Sequence, residues 1–436
     1  MSLDLLSKTR WLSLAAMLGL ASATSLGGCA VDADRDDVEE VGVEGASTDA
    51  ITNVNHSKVK RQSIGNCWLY ATVSWVEALN KMATGTEANV SESYLTFWHW
   101  FDQIANGATG DEVSTGGSFG VAAEIINRYG LMLEKDFIPA EADSEMSNRQ
   151  ASALSAINTS LKTGALKDPA ARGDRAKVLA ELEKAWNLDA NVKTMLHRTF
   201  GTSVTRTIDK SYTTKRTPTT GKILRAKDFQ AKVKDSKTAE WKTGSLQDAI
   251  GTRGYSTWAP RTGAFAWNEV DYPYDAKSRR NFMKRVQRAL HDGQPVIISW
   301  FVDFNALSSS STFSLEEIAR RGGPGRQGGH MTVLHDYEIT NVPGFGTLKA
   351  GQEASPEALT AALADTAQIT FLRIKNSWGG YRPDRWNDAV LPGYHDLTSG
   401  YLNGPVKKCE EKNGVTDTTN CTNHTPLWEV VLPAGY

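Results

Sequence analysis

A chain of 436 residues with 40% apolar residues can bury a sizeable core, and 48 basic against 50 acidic residues leave a net charge of −2. That balance supplies no field to hold a polyanion, so nucleic-acid binding is excluded as a main activity. Four cysteines are too few for a disulfide scaffold and do not stand beside histidines at metal-ligand spacing, so neither a metal nor another cofactor is expected.

In chain order, Lys8 and Arg10 precede an apolar run from Trp11 to Leu20, small residues follow, and Leu26-Gly27-Gly28-Cys29 comes next. The run is too short to span a bilayer and reads as a signal peptide over residues 1–28. Leu-Gly-Gly-Cys resembles the bacterial lipobox, which implies lipidation of Cys29, membrane attachment through that lipid and a place in the cell envelope. With no aspartate after Cys29, an outer-membrane lipoprotein is expected; without lipidation the product would be periplasmic or secreted. Residues 29–58 are rich in Asp and Glu and poor in aromatics, the composition of a disordered acidic tether. The folded part is expected over residues 59–436.

The segment Gln62-Ser63-Ile64-Gly65-Asn66-Cys67-Trp68 runs into a dense apolar stretch of helical length. Cys67 therefore falls at a helix N-terminus, where the helix dipole favours a thiolate, the attacking form of cysteine. A small buried cysteine before a core helix would look the same. Thr115-Gly116-Gly117-Ser118 precedes a second helix ending near Tyr129, and residues 142–250 read as an insertion with helical spacing over 153–161, 176–186 and 192–200. The basic stretch Lys210 to Arg225 reads as a solvated hairpin or loop.

The later part of the chain is strand-like. Pro295 to Trp300 is one apolar run; a second follows His330; a third, Phe371 to Lys375, ends in Asn376-Ser377-Trp378-Gly379. His335 is five residues from His330, an odd offset that sets the two on opposite faces of a strand. His56 and His99 have no motif around them. A short helix is expected from Pro356 to Asp365, and Leu427 to Leu432 reads as the last strand. Cys409 and Cys421 bracket a polar loop that a disulfide would close, stabilising by on the order of 3 kcal/mol.

Cysteine, histidine and asparagine in that order, in the local settings Cys-Trp, His-x-x-Val and Lys-Asn-Ser-Trp-Gly, resemble the papain-like cysteine proteases (peptidase C1). Val90 to Trp98, the Gly116-Gly117 stretch and the long insertion narrow the resemblance to the bleomycin hydrolase and aminopeptidase C branch. The resemblance implies an α+β fold of a helical lobe and a β-barrel-like lobe, with Cys67 as nucleophile, His330 as general base and acid, and Asn376 orienting the imidazole. It implies substrate contacts from Gly116, Gly117 and Trp378, and a peptide or protein as substrate. The family's oxyanion glutamine stands six residues before the cysteine. Here Arg61 holds that place, and Gln62, five before, is the expected donor with the Cys67 N–H.

In that branch a C-terminal arm enters the cleft and makes the enzymes aminopeptidases. Here only four residues follow the last strand-like run and reach about 14 Å at most, so an open cleft and endopeptidase action are expected. A bleomycin-hydrolase-type aminopeptidase, a thiol amidase or transferase, and a catalytically silent binding lipoprotein are the alternatives. The sequence does not fix an oligomeric state.

Overall fold

Helix α1, Cys67–Thr84, begins after Asn66, whose backbone at φ −117° and ψ 34° is not yet helical, and every residue from Cys67 to Asn80 is buried. A helix apolar on all sides has to be enclosed, and this one lies between helices and a sheet. Gly85, in the left-handed region at φ 72°, ends it by donating its N–H to Lys81 O. In this computed structural model the described residues are 51–52, 54–144, 146–211, 220–235, 237–253, 260–380, 391–412 and 415–436. The expected signal peptide, the lipobox with Cys29, and most of the acidic tether lie outside them, as does the middle of the Lys210 to Arg225 stretch.

On one side of α1 pack α2, Glu92–Ala105, capped by the Ser91 hydroxyl accepting from Tyr94 N, and α3, Phe119–Tyr129. The expected insertion supplies helices Arg149–Lys162, Arg175–Ala185 and Ala190–Phe200. They join the α2 core through aromatic contacts. Trp98 stacks on Tyr129 at 4.0 Å and meets Phe200 edge-on, while Trp186 packs on Trp100 at 5.3 Å.

The strands are, in chain order, β1 Gln230–Lys234, β2 Trp241–Ser245, β3 Trp267–Asp271, β4 Ile297–Asp303, β5 Thr312–Phe313 and β6 Gln327–Val342. They continue with β7 Gly346–Leu348, β8 Gln368–Lys375, β9 Tyr394–Thr398, β10 Val406–Lys412, β11 Val415–His424 and β12 Leu427–Pro433. The main sheet runs β3-β12-β4-β6-β8-β9-β5, with β7 on β6. The class is α+β, and the sheet stays open where the sequence suggested a barrel-like lobe. β10 and β11 form a separate hairpin in which Cys409 and Cys421 face each other in register and form a disulfide, so the expected loop is a β-ladder. The short helix starts at Pro356 as expected and ends at Ala361, before Asp365.

The packed chain begins before residue 59. Ile51, Thr52, Val54, His56 and Ser57 are all buried. Ile51 N donates to Asp336 Oδ1 at 3.1 Å, and His56 Nε2 meets Leu334 O at 2.9 Å. The last part of the expected tether therefore lines the back of β6, because its apolar residues and free amides find partners there.

Candidate active site

Three segments bring the predicted residues together. The N-terminus of α1 carries Cys67; β6 carries His330 opposite Trp300 of β4; and Asn376 follows the last residue of β8. Cys67 and His330 line one cleft with Trp68, Gly116, Gly117, Ser118, Ser299, Gly329, Met331, Trp428 and Glu429. Met331 N donates to Cys67 Sγ at 3.3 Å, joining the sheet to the helix N-terminus.

His330 Nε2 lies 2.7 Å from Asn376 Oδ1, which also accepts from Ser377 N at 2.8 Å. Asn376 Nδ2 lies 3.3 Å from His395 Nδ1. The amide oxygen accepts here, so the Nε2 atom of His330 carries the proton and Nδ1 is the basic nitrogen. Nδ1 is buried without a protein hydrogen-bond partner among the described residues. Trp378 stacks on the imidazole at 4.9 Å and Trp300 meets it edge-on at 5.6 Å. This aromatic box strips the ring of water, and burial pulls its pKa down to about 4.

The Cys67 sulfur is disulfide-bonded in this structure. A thiol nucleophile was expected; in this state the sulfur cannot attack a carbonyl, and reduction has to come first. With the sulfur neutral, no thiolate faces His330 to raise its pKa.

Gln62 is not where the sequence reading put it. Its Nε2 donates to Ile64 O at 2.9 Å, its Oε1 accepts from Ser377 Oγ at 2.5 Å, and its backbone N–H donates to Ser377 O. Buried at 3% exposure and absent from the cleft wall, it clasps the loop before Cys67 to the segment after Asn376. The physical reason is the shortened spacing: five residues before the helix, the side chain meets the neighbouring loop instead of the mouth of the cleft. Trp378, expected at the substrate, is buried against His330 and Phe304 and acts on the imidazole instead.

Gly116 and Gly117 do line the cleft. A Cβ on Gly117 would stand 2.5 Å from the Trp68 ring, so the glycine is needed for close approach. His335 sits at an irregularity in the β6–β8 pairing, and its ring meets His56 and Tyr394, away from the cleft. His99 packs on Trp68 at 4.8 Å. Behind α1, Lys60 bridges Glu77 at 2.8 Å and Glu92 at 2.9 Å, and the carboxylates keep the buried ammonium charged. Buried Lys375, donating to Ser57 and Ser74 hydroxyls, is pulled down by desolvation to about 8.

Sequence reasoning missed Ser377, His395, Ser299, Trp428 and Glu429. Ser377 was visible inside the Lys-Asn-Ser-Trp-Gly string. The others come from strands whose neighbours only the sheet order reveals.

No protein-family profile and no curated protein matches the chain. Among solved structures it is similar to PepW from Lactobacillus rhamnosis HN001 at 12% identity and TM-score 0.40, covering 89% of this chain and 80% of that one. It is also similar to xylellain, a cysteine protease from Xylella fastidiosa, at 10% identity and TM-score 0.34 over 93% of this chain and 96% of that one. The proform of Amb a 11, a ragweed pollen cysteine protease, matches at 14% identity and TM-score 0.31, over 86% of this chain and 61% of that one. At TM-scores below 0.5 these likenesses decide nothing about the chemistry, which has to be read from the side chains.

Proposed function

We propose that the chain is a cysteine peptidase of papain type that, in its reduced form, is exported and lipid-anchored through Cys29 and cuts within polypeptides using Cys67, His330 and Asn376. The observation that carries this reading is the constellation itself. Cys67 and His330 line one cleft, and His330 Nε2 is held by Asn376 so that its Nδ1 is left basic.

In the reduced enzyme His330 Nδ1 takes the Cys67 proton, and the thiolate attacks the scissile carbonyl carbon. The oxyanion forms at the N-terminus of α1, where backbone N–H groups and the helix dipole favour negative charge. His330 returns the proton to the leaving amine as the C–N bond breaks, giving a thioester. Water, deprotonated by His330, then releases the acid and restores the thiol. Asn376 fixes the ring through this cycle, and Trp378 keeps water from its flank.

The test is digestion of an unstructured protein by the reduced chain beside Cys67→Ala, with products identified by mass spectrometry. Internal cuts lost in the variant are expected. Stepwise N-terminal trimming would replace the endopeptidase reading with an aminopeptidase, and absence of any Cys67-dependent product would overturn the peptidase.

A further inference from the structure

A second cavity, of about 450 Å³ against about 80 Å³ for the cleft at Cys67, lies between one face of α2 and one face of α3. Its volume is that of a site for a small organic molecule. Ser118 is the one described residue that lines both hollows. His99 lines the cavity, Trp68 lines the cleft, and the two rings pack at 4.8 Å, so the indole stands between the two spaces.

Along α3 the cavity meets Gly120, Glu124 and Arg128, which recur every four residues and so stand one above another, about 6 Å apart. Each has a partner across the wall. Glu269 accepts from Gly120 N at 3.0 Å, Arg261 Nη1 donates to Glu124 Oε1 at 3.0 Å, and Arg128 Nη1 donates to Asp102 Oδ2 at 2.6 Å. The last two pairs balance their own charges.

Three polar groups facing the cavity are left over. Arg261, its side chain 8% exposed, uses Nε on Ile250 O and Nη1 on Glu124, while Nη2 is buried with no partner among the described residues. His99, also 8% exposed, has a buried Nε2 with no partner there, and desolvation pulls the ring down to about 4, so it is neutral. Buried polar atoms without partners are uncommon because they forfeit the hydrogen bonds that water would give them. Arg253 supplies a free charge. The antiparallel bridge between Thr252 and Thr262 makes it the cross-strand neighbour of Arg261, and it is exposed, with no carboxylate paired to it among the described residues. Two neighbouring guanidinium groups repel each other, and Glu124 answers only one of them.

An anion is what this end of the cavity lacks, and one negative charge matches the one unanswered guanidinium. The second charge of a phosphate would face Glu269, which stands one helix turn along α3. Val121, 40% exposed, and Ile125 line the same wall and suit an apolar body.

We propose that this cavity binds a small monocarboxylate with a largely apolar body, its carboxylate held by Arg253 and Arg261. The site is separate from Cys67 and stands whether or not the chain is a peptidase. A free acid and the C-terminal end of a peptide both present this chemistry. They differ in the amide next to the carboxylate, which gives His99 Nε2 a partner only in the peptide.

The experiment is isothermal titration calorimetry on the full chain after reduction and carbamidomethylation of Cys67, which blocks the catalytic cleft. The probes are N-acetyl-leucine for a peptide end, hexanoate for a free acid, N-acetyl-leucinamide as the uncharged control, and inorganic phosphate. At least one carboxylate is expected to bind at a single site, and the amide and phosphate more weakly by roughly tenfold or more, the scale of a charge-assisted hydrogen bond. Arg253→Gln, at an exposed position that leaves the core intact, should weaken that carboxylate by a similar factor. Tighter binding of acetyl-leucine, reduced about threefold or more in His99→Phe while hexanoate is unchanged, supports the site and assigns it to peptide ends. Hexanoate bound as tightly as acetyl-leucine, with the same dependence on Arg253, supports the site and assigns it to free acids. No binding of either carboxylate at millimolar concentration, an amide or phosphate that binds as well, or an affinity unchanged in Arg253→Gln overturns the proposal. So does carboxylate binding seen only while Cys67 is unmodified, which would place the ligand in the catalytic cleft.

Discussion

Gly117→Ala tests how tightly the cleft is held. The new methyl would stand 2.5, 2.6 and 2.8 Å from three atoms of the Trp68 ring, against an ordinary carbon contact of about 3.5–4.0 Å, so the indole has to move by about 1 Å. Trp68 is 1% exposed, donates its Nε1 proton to Thr115 O at 2.8 Å, and packs on His99. Overpacking of this kind costs about 1–3 kcal/mol, and loss of the indole hydrogen bond adds about 1 kcal/mol. The expected loss is about 2–4 kcal/mol in a urea titration at unchanged slope. Gly110→Ala is the control, because a Cβ there meets nothing within 4 Å. It should fall within about 0.5 kcal/mol of the wild type. Since Trp68 follows Cys67 in α1, alkylation of reduced Cys67 should slow in Gly117→Ala and not in Gly110→Ala. If the two variants unfold at the same urea concentration, the wall is soft and the reasoning from close approach is wrong.

The oxidised Cys67 predicts that the isolated protein is inert to iodoacetamide at that residue until dithiothreitol is added, and that peptidase activity appears in step with the thiol. With Cys409 joined to Cys421, Cys29 is the one other cysteine of the sequence, so a lipid on Cys29 and an intrachain disulfide at Cys67 exclude each other, and non-reducing peptide mapping tells which form is isolated. Asn376→Ala should lower kcat by roughly tenfold to a hundredfold, since an unfixed imidazole loses about 1–3 kcal/mol of hydrogen bonding. Alanine at 376 with unchanged kcat would assign the orienting role to Trp378 alone.

Stability should fall at acid pH. Burial lowers His99, His291, His330 and His335 to about 4, against about 6.5 unfolded, so between those values the unfolded chain binds more protons and stability is lost as pH drops. Glu134 at about 8, Glu429 at about 7 and Asp336 at about 6 are raised, bind protons preferentially in the native state, and work in the opposite sense down to about 4.5. The decline should therefore be shallow from pH 6.5 to 4.5 and steepest between 4.5 and about 4, where the carboxylates no longer oppose it. Urea midpoints that hold constant from pH 6.5 to 4 would contradict the buried neutral histidines.

What the sequence determined by itself is local. The apolar run after Cys67 could only be an enclosed helix, the runs at β4, β6, β8 and β12 could only be buried strands, and the short strings around Cys67, His330 and Asn376 carried their own context. The insertion helices were legible for the same reason: their apolar spacing is a property of each segment. Tertiary structure decided everything that depends on which strand lies beside which. Glu429 and Ser299 are 130 residues apart and meet because β12 pairs with β4. Gln62 turned inward because Ser377, 315 residues away, offers it a better partner than the cleft does. Ile51, Thr52, Val54, His56 and Ser57 looked like solvated tether and became core because β6 presents the Asp336 carboxylate and the Leu334 carbonyl to them. Periodicity is written along the chain, whereas burial, pKa and hydrogen-bond choice are set by neighbours that the fold brings from far away.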